Sequence, residues 1–175
     1  SYPDREYTSL RRCIAAYCGT ETENVIVGNG STELISLFIQ VEHPKKALVI
    51  GPTYSEYERE IALGGGTTLY YPLREADDFK LNVEDFLSHL NESIDLLVIC
   101  NPNNPTGYLY TQREMDALRD IVKRHDLFLF SDEVYREFCY TGAPYISAFH
   151  LPGIEDQVVL IDSVSKRYSE CGIRI

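Results

Sequence analysis

Four short, uninterrupted apolar runs constrain this chain most: Ala47-Leu-Val-Ile50, the stretch Leu96-Leu-Val-Ile-Cys100 that follows Asp95, Leu127-Phe-Leu-Phe130 and Val158-Val-Leu-Ile161. A strand with one wet face alternates polar and apolar residues. A strand with no polar position needs cover on both faces, as in a parallel sheet. Helical patterns of roughly ten to fifteen residues separate the runs, which predicts right-handed βαβ units. The expected fold is a three-layer α/β/α sandwich around a mostly parallel sheet.

The remaining elements follow from local signals. After the extended Tyr2-Pro3-Asp4, a helix carries Leu10, Ile14, Ala15 and Tyr17 or Cys18 on one face and stops at Gly19. Asn24-Val-Ile-Val27 reads as a strand, and Gly28-Asn-Gly-Ser-Thr-Glu33 leads into a helix through about Val41. Thr53-Tyr54 opens a helix bearing Tyr57, Ile61 and Leu63, broken at Gly64-Gly-Gly66 before a strand over Thr67–Tyr71. Asn82 caps a helix from Val83 to about Leu90, and Thr111 with Glu114 forms a capping box for a helix through His125. A loop and a short helix precede the Val158 strand.

Ligands of open α/β sheets bind at the carboxyl ends of the strands. Four polar stretches are expected there: Gly28 to Thr32, Asn101-Pro-Asn-Asn-Pro-Thr-Gly107, Asp132-Glu-Val-Tyr135 and Asp162-Ser-Val-Ser-Lys166. Each has a plain alternative. Ser31 and Thr32 either add hydroxyls to an anion site at a helix start or simply cap the helix. Asp132 is a turn former or a carboxylate that keeps a ring nitrogen protonated. Tyr135 and Tyr54 are core aromatics, or a hydroxyl donor and a stacking face. Asn104 shapes a turn or offers a fixed amide. Arg174 is a surface residue or an anion binder. Lys166 is a solvated lysine or, partly desolvated near Arg174, a nucleophile toward carbonyls. One ligand uses all of them at once: a phosphate dianion, a protonated aromatic nitrogen, a phenolic oxygen and an aldehyde, as in pyridoxal 5′-phosphate (PLP).

Composition narrows the partners. With 175 residues and 44% hydrophobic content the chain can bury one core, most simply as a single domain. A formal charge of -11 argues against a nucleic-acid backbone as main partner. No apolar run is long enough to span a bilayer, and no signal peptide is expected. The five cysteines (Cys13, Cys18, Cys100, Cys139, Cys171) show no metal-ligand spacing and read as reduced thiols, several of them core fillers, in a cytoplasmic protein. No metal site is expected. The single Met is Met115 and the chain ends at Ile175, just after its most informative motif, so it reads as a piece of a longer protein.

The Asn-Pro-Asn-Asn-Pro-Thr-Gly, Asp-Glu-Val-Tyr and Ser-x-Ser-Lys motifs, with Arg174 eight residues after Lys166, resemble the fold-type I, class I/II aminotransferases over essentially the whole chain. The resemblance implies Lys166 as the Schiff-base lysine and Asp132 as the pyridinium partner. It further implies Asn104 and Tyr135 on the phenolic oxygen and Tyr54 stacked on the ring. Ser31, Thr32, Ser163, Ser165 and Arg174 would hold the phosphate. Tyr2, in a Tyr-Pro motif, would reach the phosphate of a neighbouring subunit, which implies a homodimer. Residues 1–175 would form part of the PLP-binding large domain. The end of that domain, the small domain and the carboxylate-binding arginine would lie beyond Ile175, so the segment alone is expected to be inactive.

The implied activity is amino-group transfer between an L-amino acid and a 2-oxo acid. Tyr71-Pro-Leu-Arg74 and Val27-Gly-Asn-Gly-Ser-Thr-Glu33 are also similar to histidinol-phosphate aminotransferases and threonine-phosphate decarboxylases. Decarboxylation is therefore the alternative, with a PLP-sensing domain of a transcription regulator ranked below both. Tyr135 favours transfer, because the decarboxylases often carry Phe at that place.

Overall fold

The computed structural model describes residues 3–175. Its sheet contains β1 (Lys46–Gly51), β2 (Thr67–Pro72), β3 (Leu96–Cys100), β4 (Phe128–Asp132) and β5 (Val158–Ile161). All four pairings are parallel, in the order β2-β1-β3-β4-β5. The chain reverses its direction of travel across the sheet between β1 and β3, the kind of switch point where a crevice opens. Register sets the rim. Cys100 lies beside Asp132, and Asp132 beside Ile161, so β3, β4 and β5 end level with one another.

The apolar runs alternate between two cores. Leu48, Ile50, Leu97, Ile99 and Leu129 face α4 (Val83–His89) and α5 (Gln112–His125), where Phe86, Met115, Leu118, Ile121 and Val122 are buried. Ala47, Val49, Leu96, Val98, Phe130 and Ile161 face α2 (Ser31–Glu42) and α3 (Glu56–Leu63), packing on Ile35, Ile39, Tyr57 and Ile61. Each such fully buried aliphatic side chain contributes about 1.5–3 kcal/mol. This is the expected α/β/α sandwich, with a sheet that is wholly parallel.

Glu114 ties the α5 face together. Thr111 and Glu114 form the capping box, while the Glu114 carboxylate also accepts Leu81 N–H (2.9 Å) and the Tyr108 hydroxyl (2.8 Å). The residue is only 7% exposed, so truncation strands those donors away from water. Glu114→Ala is expected to cost about 3 kcal/mol. A urea titration should show a lower midpoint with an unchanged slope.

Three expectations need correction. Asn24–Val27 is not a strand: a 3-10 turn over Thr22–Asn24 runs into extended chain. Val25 is buried but Ile26 is 75% exposed, and no sheet strand pairs with the segment. The helix expected from Thr53-Tyr54 begins at Glu56, which leaves Tyr54 in the turn after β1, and its Leu63 is exposed. Of the five cysteines only Cys100 is buried; Cys13 and Cys171 are exposed, so "core filler" fits one of them. In α1 (Thr8–Cys18) Ala15 is buried and Cys18 partly so, whereas Tyr17 points outward. Gly19 ends α1 in the left-handed conformation.

Candidate active site

A cleft of about 260 Å³ opens at the carboxyl ends of β1, β3, β4 and β5. Its walls bring together Ser31, Thr32, Tyr54, Asn104, Asp132, Tyr135, Ser163, Ser165, Lys166 and Arg174. Tyr2 lies outside the described residues. Cys171, read from sequence as filler, instead borders this cleft, and its thiol donates to Ser165 O at 3.4 Å.

Each wall is fixed by neighbours that do other work. In the loop after β3, Asn101 donates to Ile146 O (3.1 Å) and accepts Tyr110 N–H (3.3 Å). Asn103 accepts both the amide and the hydroxyl of Thr106, at 3.1 and 2.8 Å. These two asparagines lock the backbone. Among the described residues the Asn104 amide makes no hydrogen bond, and it faces the cleft. Past β5, Asp162 accepts Ser163 N–H (2.7 Å) and the Arg167 guanidinium (2.6 Å), bracketing the one-turn α6 (Val164–Arg167) that carries Lys166. The Lys166 amine sits 5.7 Å from the centroid of the Tyr135 ring.

Asp132 is the electrostatic centre. It is 4% exposed, and its Oδ1 accepts Val134 N–H (3.1 Å) while its Oδ2 accepts the Tyr57 hydroxyl (2.5 Å). Asp132 therefore shapes the turn, as the first reading has it, and also lines the cleft. Among the described residues no cation lies within ion-pair distance of Asp132, and burial pushes its carboxyl above the ordinary range. A positively charged group arriving from the cleft would favour the ionised form. Beside it, burial first and the Asp132 charge second push the Cys100 thiol up to about 12, so Cys100 lines the floor as a neutral group.

The other cleft residues are mainly hydroxyls and a guanidinium. Gly30 is the N-cap of α2 with φ 78 and no side-chain cap, so Ser31 and Thr32 do not serve as caps. The first-turn Glu33 folds back to accept Asn29 N–H at 2.5 Å. Ser31, Thr32, Ser165 and Arg174 line this part of the cleft with Ser163, whose hydroxyl donates to Ile175 O at 2.7 Å, and no carboxylate pairs with Arg174 among the described residues. A Cβ on Gly30 would collide with the Arg174 guanidinium. Gly30→Ala is therefore expected to displace Arg174 and weaken binding of a phosphate ligand about tenfold, measured by absorbance titration with PLP, without unfolding the protein.

Sequence reasoning missed Tyr57. It read as a core residue on the inward face of α3, which it is, yet its hydroxyl reaches Asp132. The available signal was chemical: a tyrosine on a buried helix face needs a partner for its O–H.

The rim of this parallel sheet thus places a lysine, a buried carboxylate and a guanidinium in one cleft. An aromatic aminotransferase from Pyrococcus horikoshii has this fold, superposing with a TM-score of 0.93 at 25% identity over 99% of this chain and 50% of its own. The model of the family "Aminotransferase class I and II" matches residues 1–175, and the chain belongs to that family. A Caldanaerobacter subterraneus protein carrying a threonine-phosphate decarboxylase name is 36% identical over 99% of this chain and 47% of its own length. The aspartate aminotransferase of Bacillus subtilis is 33% identical over 86% of this chain and 39% of its own. The chain spans about half the length of the curated relatives it matches, or less. No described helix is long and apolar enough to cross a membrane.

Proposed function

We propose that this chain is the PLP-binding large-domain portion of an aminotransferase that moves an amino group between an L-amino acid and a 2-oxo acid. The observation that carries the reading is Asp132, a buried carboxylate with no cation partner among the described residues, in one cleft with the Lys166 amine and an anion cradle. That donor set fits PLP end to end. When bound, PLP supplies an aldehyde that takes up amines and a ring that withdraws electrons from bonds at the substrate Cα.

The chain's own groups then have distinct tasks. Asp132 holds the proton on the ring nitrogen. Asn104 and Tyr135 donate to the ring oxygen, and Tyr54 covers one face of the ring. Ser31, Thr32, Ser163, Ser165 and Arg174 grip the phosphate and so fix the ring's orientation. Lys166 would supply the amine that meets the aldehyde and would carry a proton to and from the substrate Cα. We extend the reading to a homodimer in which Tyr2 reaches the phosphate of the neighbouring subunit.

The test is a coupled assay of the full-length protein with PLP, an amino donor and a 2-oxo acid; formation of the new amino acid supports the reading. The relative with a threonine-phosphate decarboxylase name favours a second reading, decarboxylation of a phosphorylated hydroxy-amino acid. Release of CO₂ from such a substrate, with no amino transfer, would select it instead.

A further inference from the structure

We propose that Tyr57 is the positioning residue of this cleft, one side chain that sets both the carboxylate and the aromatic face presented to the cofactor ring. This rests on the reading that the cleft takes PLP, and it adds a residue outside the ten expected to contact the cofactor from this chain. Three observations carry it. The Tyr57 hydroxyl donates to Asp132 Oδ2 at 2.5 Å, inside a site where both residues are buried. The Tyr57 ring meets the Tyr54 ring edge to face, centroids 5.6 Å apart and planes at 82°. Its other side rests on Phe130 of β4, at 5.9 Å and 64°, so the ring is wedged between the sheet and the turn after β1.

The consequences follow from hydrogen-bond chemistry. Asp132 has one oxygen committed to Val134 N–H and the other to Tyr57, so the carboxylate cannot rotate without breaking a bond. Burial, together with the neighbouring Asp132 charge, raises the Tyr57 phenol well above its ordinary range and keeps it a proton donor. A donor to a buried carboxylate stabilises its charged form. Asp132 then stays a weaker base than it would be alone, and the shared proton is left on the ring nitrogen rather than drawn onto the carboxylate. Without the hydroxyl, burial makes Asp132 hold a proton more tightly, and the ring nitrogen loses its charge. Tyr57 thus acts through Asp132 and touches no reacting atom.

The test uses full-length holoenzyme loaded with PLP labelled with ¹⁵N at the ring nitrogen. Tyr57→Phe removes the hydroxyl and keeps the ring that packs on Tyr54 and Phe130. The wild-type resonance is expected in the pyridinium range, and the variant's should move toward neutral pyridine. In parallel kcat should fall about tenfold to a hundredfold, the loss expected for a hydrogen bond to a charged group, with KM for the amino donor little changed. A variant that retains PLP with the wild-type resonance and kcat within about twofold of wild type overturns the proposal while leaving the PLP reading intact. A wild type that takes up no PLP overturns both.

Should Tyr57→Phe fail to fold, the wild type alone still decides. The Tyr57 hydroxyl proton is followed by NMR with PLP and with its analogue bearing C–H in place of the ring nitrogen. A shift between the two shows the coupling through Asp132, and an unmoved proton overturns it.

Discussion

Replacing Lys166 by alanine is expected to lower the turnover of the full-length protein by roughly 10⁴-fold, since it removes the group proposed both as covalent amine and as proton carrier. The fold should persist. Lys166 is exposed on the one-turn α6, and the turn itself is held by Ser163, Asp162 and Arg167, not by the lysine. PLP should still enter, because Arg174, Ser163 and the start of α2 are untouched, but it should leave on dialysis. Steady-state assays and the absorbance of dialysed protein check both halves. A dead variant that borohydride still converts to a covalent adduct would place the link at another lysine.

The second large effect is expected at Asp132. Asparagine is close to isosteric and can keep accepting Val134 N–H through its carbonyl oxygen, yet it has no charge to hold a ring proton. Loss of a preorganised electrostatic group of this kind costs about 10²–10³ in kcat. Binding should suffer less, since Lys166 and the phosphate contacts are untouched by the change. The prediction is therefore a fall in kcat with a PLP affinity close to wild type, read from kinetics and from titration of the same preparation. Equal losses in both would assign Asp132 a structural task only.

Much of this was legible in the residue order, for a physical reason. A fully apolar run demands cover on both faces, so the four runs announced the parallel sheet. The polar residue that ends each run is placed at the rim by the sheet itself. Asp132, Lys166 and Asn104 reach the cleft in this way, the first directly from β4 and the others from the loops after β5 and β3.

What was not legible depended on partners distant in sequence. Val25 and Ile26 look like strand residues, but no neighbour offers them a ladder, and Ile26 stays in solvent. Tyr57 was visible as a core residue, while the destination of its hydroxyl lies 75 residues further on. Cys171 carried no motif, and the turn after α6 swings it to the cleft edge. Gly30 stood inside a stretch expected at the rim, but its close approach to Arg174 shows only in the fold.

The most direct measurement is to load the full-length protein with PLP, reduce it with borohydride, digest it and locate the modified residue by mass spectrometry. The account requires the reduced pyridoxyl phosphate on the peptide containing Lys166 and on no other lysine peptide. The label on any other residue, or no label after demonstrated binding, contradicts it.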